Sequence, residues 1–142
     1  MRILIDTTPL ISPKSGIGHY TSKISSALLS DNDFETSFFT SNCFHKNLNN
    51  IHAKKENFFL RQLNKNISIN HLIRNIRIKN YIEDNNVEIF HQPNFITYDL
   101  AIKNISTVHD LAWMHYPQFF HKSELKYFEL YFEKSLKYSN KI

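Results

Sequence analysis

The sequence is nearly devoid of glycine. It has two among 142 residues, where an average globular chain carries roughly 7%. Both fall in one stretch, "SPKSGIGHYTSKI", as Gly16 and Gly18. Proline is scarce as well, with four. Low glycine and proline exclude collagen-like and low-complexity architectures. The one cysteine, Cys43, cannot form an internal disulfide framework or a cysteine zinc site. A lone thiol fits a reducing compartment, so a cytoplasmic location is the expectation. No run approaches the ~20 apolar residues of a membrane-spanning helix. The opening MRILIDTTPL meets Asp6 after three aliphatic residues, so no secretory leader is expected there.

What is present is an ordinary globular composition, 42% hydrophobic and 21% charged, in a chain long enough for one domain with a real core. The net charge of +4 is uneven. Lys54, Lys55, Arg61, Lys65, Arg74, Arg77 and Lys79 face a single acid, Glu56, while the remainder is slightly acidic. Such a run is either a solvated face or a surface for phosphates. No RNA- or DNA-binding motif accompanies it, so nucleic acid is not the expected partner.

Residues 2–7, RILIDT, read as a strand buried on both faces, as in a parallel sheet. Tyr20, Ile24, Ala27 and Leu28 then recur at helical spacing. FETSFFT (34–40) is a second strand, and Ile69, Leu72, Ile73 and Ile76 mark a helix running to about Asp84. VEIFH (87–91) and ISTVH (105–109) are further strands. Ser123 caps a last helix striped by Leu125, Phe128, Phe132 and Leu136. Alternating strands and helices predict an α/β domain with a Rossmann-like, largely parallel sheet over residues 1–142. The chain stops after a helix, where a further strand is expected, so the domain reads as truncated at its C-terminus.

Ligands of such sheets bind beyond the carboxyl ends of the strands. Asp6 and the glycine turn follow the first strand. His91 and Asn94 follow VEIF, and His109 and Asp110 follow ISTV. Asp6 and Asp110 can equally brace their own loops by accepting backbone N–H groups. A glycine turn opening a helix can cradle a phosphate. It is not the dinucleotide fingerprint, because Thr21 stands at the third glycine position, and no Walker lysine follows.

Taken together, "SGIGHYTSKISSALL", "IFHQPN" and "STVHDLAWMHYPQFF" resemble the N-terminal half of glycosyltransferase family 4. These are retaining sugar transferases of the two-domain GT-B fold, here nearest the bacterial mannosyltransferase-like enzymes of surface-polysaccharide synthesis. The resemblance implies a hexose moved with retention from a nucleotide-sugar donor to a glycan or lipid-linked acceptor, without a metal or other cofactor. It implies that Gly16, Ile17, Gly18 and Tyr20 border the inter-domain cleft, with Asp6 beside them. It further implies that His109, with Asp110, lies near the donor sugar, and that His91 and Asn94 lie on the acceptor side. A neutral imidazole can position or polarise a sugar hydroxyl.

The family's second domain carries a Glu-x7-Glu pair, and no Glu here has another eight residues on. The resemblance therefore covers only the acceptor-side domain. The alternative is a truncated or split chain that is inactive, or works with a partner chain carrying the nucleotide-sugar-binding half. Sugar-nucleotide epimerases of related GT-B fold are a third reading. Asp31-Asn32-Asp33 has the D-x-D form of metal-dependent transferases, but it follows a helix where the motif should follow a strand. His109, His115 and His121 match neither helix nor strand spacing for a metal site. Arg74 and Arg77 lie opposite the apolar stripe of their helix, and the resemblance implies for such a basic amphipathic stretch a peripheral contact with the inner face of the membrane, the alternative being an ordinary amphipathic helix packed on the sheet.

Overall fold

The computed structural model describes residues 1–11, 15–40, 43–51 and 66–142. The basic residues Lys54, Lys55, Arg61 and Lys65 and the run Phe58-Phe59-Leu60 lie outside the described residues. Five strands form one sheet: β1 (Arg2–Asp6), β2 (Glu35–Thr40), β3 (Cys43–His45), β4 (Ile89–Gln92) and β5 (Lys103–Ser106), in the order β3-β2-β1-β4-β5. Only the β2–β3 pairing is antiparallel. The helices are α1 (Gly16–Ser30), α2 (Ile67–Asn85), the single turn α3 (Ala112–His115) and α4 (Lys122–Tyr138). This is the expected Rossmann-like α/β arrangement. None of the described helices is long and apolar enough to cross a membrane.

Strand alternation assigns the two faces of the sheet. Leu4, Phe39 and Phe90 pack with Ile78 and Ile82 of α2 on one face. Ile3, Ile5 and Phe38 pack with Leu28 of α1 on the other. A third cluster, Phe95, Ile96 and Phe132, binds α4 to the loop after β4. Buried Ser135 of α4 receives the Thr97 N–H at 2.8 Å, so the seam is hydrogen-bonded as well as packed.

Several boundaries differ from the sequence expectation, each for a local reason. Val87 belongs to the C-terminal cap that follows α2 and not to a strand. Asn86 is left-handed (φ 48°), and the Val87 N–H closes on Ile82 O at 3.0 Å, a C-terminal cap. β5 ends at Ser106 because the Thr107 N–H turns to Gln92 O at 2.9 Å, while Thr107 O receives the Phe95 N–H. The cap of α4 is His121, not Ser123. His121 Nδ1 accepts from the Ser123 N–H at 3.3 Å, and Glu124 reaches back to the His121 N–H at 3.1 Å. Neither β3 nor α3 follows from the sequence patterns above.

The apolar stripe of α2 is the largest correction. Ile69, Leu72 and Ile76 point outward, with Leu72 56% exposed. The inward stripe runs through His71, Arg74, Ile78 and Ile82, with Ile78 and Ile82 in the core. Arg74 therefore does not lie on an outer, membrane-facing surface. Its guanidinium turns into the domain, bound to Asp6. Arg77 is exposed.

The glycine pair also differs from expectation. Both glycines lie in the first turn of α1, and neither has a positive φ. Positive φ falls instead on Asn86 and Phe95. Ser15 caps the helix by accepting the Gly18 N–H at 3.0 Å. Gly18 is buried, and with Thr21 and Ser25 it forms a small-residue stripe that lets α1 approach the sheet. A Cβ on Gly16 would meet nothing within 4 Å. Gly16→Ala is therefore expected to stabilise the domain by about 0.4–1 kcal/mol through the unfolded chain. Urea unfolding checks this; a loss of stability would mean that the backbone at Gly16 is constrained by more than helix geometry.

Candidate functional site

The carboxyl ends of β1, β4 and β5 are adjacent and parallel, so the loops that follow them share one edge. Order reverses at β1, the point where such sheets open a crevice. The predicted residues gather at this edge in two groups, one on each face of the sheet. β1 pairs with β4 with Ile5 opposite His91. Period-two alternation then sends His91 to the α1 face, and Asp6 with Gln92 to the α2 face.

The α2-face group is built on a buried ion pair. Arg74 Nη2 lies 2.7 Å from Asp6 Oδ2, with side-chain exposures of 19% and 1%. The same carboxylate receives Gln92 Nε2 at 3.0 Å and the Thr8 N–H at 2.8 Å. Arg74 also donates to Thr8 Oγ1 at 3.0 Å, and its guanidinium carbon stands 5.1 Å over the Phe39 ring. Arg74 Nε has no partner among the described residues. Asp6 thus braces its own loop and also anchors α2 to the end of β1.

Beside the pair, His71 stacks on Tyr131 at 3.9 Å and shares a 3.1 Å hydrogen bond with the Tyr127 hydroxyl. Burial, with the Arg74 and Lys134 charges adding to it, pushes the His71 pKa down to about 4. Burial pushes the Tyr98 phenol up to about 12. At neutral pH His71 and Tyr98 are therefore uncharged. His71, Arg74 and Tyr127 line a cleft of about 450 Å³ between α2 and α4. Tyr127 and Glu124 also line an adjoining cavity of about 300 Å³, whose far wall holds Ile17 of the glycine turn and Asn94.

The α1-face group is a chain of hydrogen bonds. His91 Nε2 lies 3.1 Å from Thr107 Oγ1, which lies 3.2 Å from the Tyr20 hydroxyl. Burial drives the His91 pKa down to about 4. Tyr20 meets the His109 ring edge-on at 5.1 Å. His109 Nε2–H donates to Pro93 O at 2.8 Å, which fixes the tautomer and leaves Nδ1 as the nitrogen open to a ligand. Asp110 Oδ1 accepts the Ala112 N–H at 2.9 Å, the loop-bracing bond of an aspartate two residues ahead. Between the two groups Phe95 holds φ 59°. A bulky residue there stores strain of about 1–3 kcal/mol, a feature that collects at functional sites.

Ile17 and Asn94 are thus brought together, as are Tyr20, His91 and His109, while Asp6 faces the other way. His71, Gln92 and Tyr127 are not site residues in the sequence reading, and Arg74 enters there as a membrane contact and not as half of a buried ion pair. The one available signal was the His71–Arg74–Ile78–Ile82 repeat at three- and four-residue spacing, outweighed by four aliphatic residues on the opposite stripe. Asp31-Asn32-Asp33 forms a turn, with Asp31 Oδ1 accepting the Asp33 N–H at 2.9 Å. Among the described residues, no group of three or more His, Cys, Asp or Glu side chains is arranged to hold a metal ion. No family model matches this chain, and no curated protein or solved structure matches it.

Proposed function

We propose that this chain is the acceptor-side half of a retaining hexosyltransferase that draws on a nucleotide-sugar donor for surface-polysaccharide synthesis. One observation carries the reading. Tyr20 of the "GIGHYT" element and His109 of the "VHDL" element lie 89 residues apart in sequence, yet their rings meet at 5.1 Å beside the sheet's carboxyl edge. Two motifs that resemble the same family thus adjoin, at the edge where open α/β sheets bind ligands. In this reading His109 positions a donor-sugar hydroxyl through Nδ1, and Asp110 holds its loop. Ile17 and Asn94 face the acceptor. No resident cofactor is invoked, since donor phosphate chemistry needs no protein base in this scheme.

Peripheral membrane contact belongs to the same reading. The outward Ile69, Leu72 and Ile76 beside Arg77 support it, without Arg74. A second reading, a chain that works only with a partner polypeptide, has its own support. Ile24, Leu28, Ile89, Ile105 and Val108 line an apolar groove of about 550 Å³ on the α1 face. Lys141 already bridges Ile105 in parallel at the β5 edge, so a further strand could pair there.

The test is calorimetry of the chain with a panel of nucleoside-diphosphate hexoses. The acceptor-side half by itself should bind all of them weakly. Low-micromolar donor binding by this chain alone would overturn the acceptor-side assignment. His109→Ala should abolish whatever weak sugar-dependent heat remains.

A further inference from the structure

The cleft between the first turns of α2 and α4 is built for a ligand of a particular charge. Its volume of about 450 Å³ falls within the range of about 300–1,000 Å³ for small-molecule sites. Arg74 lines it, but the guanidinium is already neutralised by Asp6 at 2.7 Å. Glu124 adds a carboxylate at the rim, held to the His121 N–H at 3.1 Å. The other polar lining groups are the Asn70 amide, the Ser123 hydroxyl and the His71 imidazole, with the Tyr127 ring as a wall. A phosphate or carboxylate would give up its hydration for a guanidinium charge that Asp6 already balances, and would lie against Glu124. A neutral ligand rich in hydroxyls meets neither cost. It can donate to Glu124, exchange bonds with Asn70 and Ser123, and lay an apolar ring face on Tyr127.

We infer that this cleft binds an uncharged glycosyl unit of the acceptor, and not a phosphorylated part of it. Asn70, Ser123 and Glu124 contact its hydroxyls, and Tyr127 forms the stacking wall. The inference rests on the transferase reading for the word acceptor, but the charge balance stands without it. The adjoining 300 Å³ cavity, reached past Glu124 and Tyr127, leads from this cleft to Ile17 and Asn94. A glycan seated here therefore directs its next unit toward the glycine turn.

The experiment is an amide-resolved NMR titration of the chain with methyl glycosides of mannose, glucose and galactose, and in parallel with inorganic phosphate. At least one glycoside should shift the amides of Asn70, Ser123, Glu124 and Tyr127 with millimolar affinity, and phosphate should leave them in place. Glu124→Gln keeps a residue able to complete the capping box of α4, so the fold is preserved. It should weaken the glycoside roughly tenfold through loss of a charge-assisted bond. Asn70→Ala should weaken it as well. Shifts of these amides by phosphate alone, glycoside shifts confined to the surroundings of His91 and His109, or no shift from any probe would each overturn the inference. Failure of the transferase reading shows separately, as tight donor binding in the calorimetric panel.

Discussion

Asp6→Ala is expected to lower the stability of the domain by about 3–5 kcal/mol, the cost of leaving a buried charge without its partner. Three donors converge on this carboxylate: Arg74 Nη2, Gln92 Nε2 and the Thr8 N–H. Removing it leaves the guanidinium over the Phe39 ring with only neutral partners, Thr8 Oγ1 and the Tyr98 hydroxyl. It also leaves a buried amide and a backbone N–H unpaired, each a further loss. The double variant Asp6→Leu/Arg74→Met should recover most of the stability, because both charges then leave the interior together. Urea unfolding of the two variants side by side decides the matter. A loss below about 1 kcal/mol for Asp6→Ala would mean that water reaches the pair and screens it. Three of the roughly four lone-pair positions of the carboxylate are taken. Asp6 can offer a sugar hydroxyl at most one, so its first task is structural.

Acid should destabilise the domain well before the carboxylates titrate. His71 and His91 have their pKa values pushed from 6.5 down to about 4, chiefly by burial. Between those values the unfolded chain binds protons that the folded one does not. Stability is therefore fully present above pH 6.5 and falls as pH drops toward 4. Each pKa unit corresponds to about 1.4 kcal/mol, so each histidine removes roughly 3 kcal/mol across that window. Urea midpoints at pH 7.5, 6 and 5, set against His91→Gln and His71→Gln, provide the check. Each variant should flatten the slope between pH 6.5 and 4. An unchanged slope in both would place the acid sensitivity elsewhere.

The sheet was legible from the sequence because its strands are short aliphatic or aromatic runs, and buried parallel strands have no other signature. RILIDT (2–7), FETSFFT (34–40) and VEIFH (87–91) differ from the observed strands by two residues or fewer at every end. α2 was legible as a helix but not in its orientation. Ile69, Leu72, Ile73 and Ile76 make the more apolar stripe, yet the domain buries the stripe that carries His71 and Arg74. Periodicity detects the repeat and cannot tell which stripe finds a buried carboxylate to bind. The edge residues Asp6, His91 and His109 were legible because strand ends can be counted. Which face each one takes depends on the register between β1 and β4, and no single segment encodes it. The glycines were conspicuous, but their backbone is ordinary. The strained position went to Phe95, where residue type gave no hint.

That register has a consequence for how the chain selects one fold. A slip of β4 by one residue against β1 would exchange the directions of every β4 side chain. Gln92 would enter the apolar groove beside Ile24 and Leu28 as Ile89 leaves it, and His91 would arrive beside the Arg74 guanidinium as an imidazole that cannot cancel its charge. The aliphatic residues of β1 and β4 would tolerate the exchange, since both faces of the sheet are apolar. The Asp6–Gln92–Arg74 bonds would not. Three polar side chains thus discriminate between two pairings that hydrophobic burial alone leaves nearly equal.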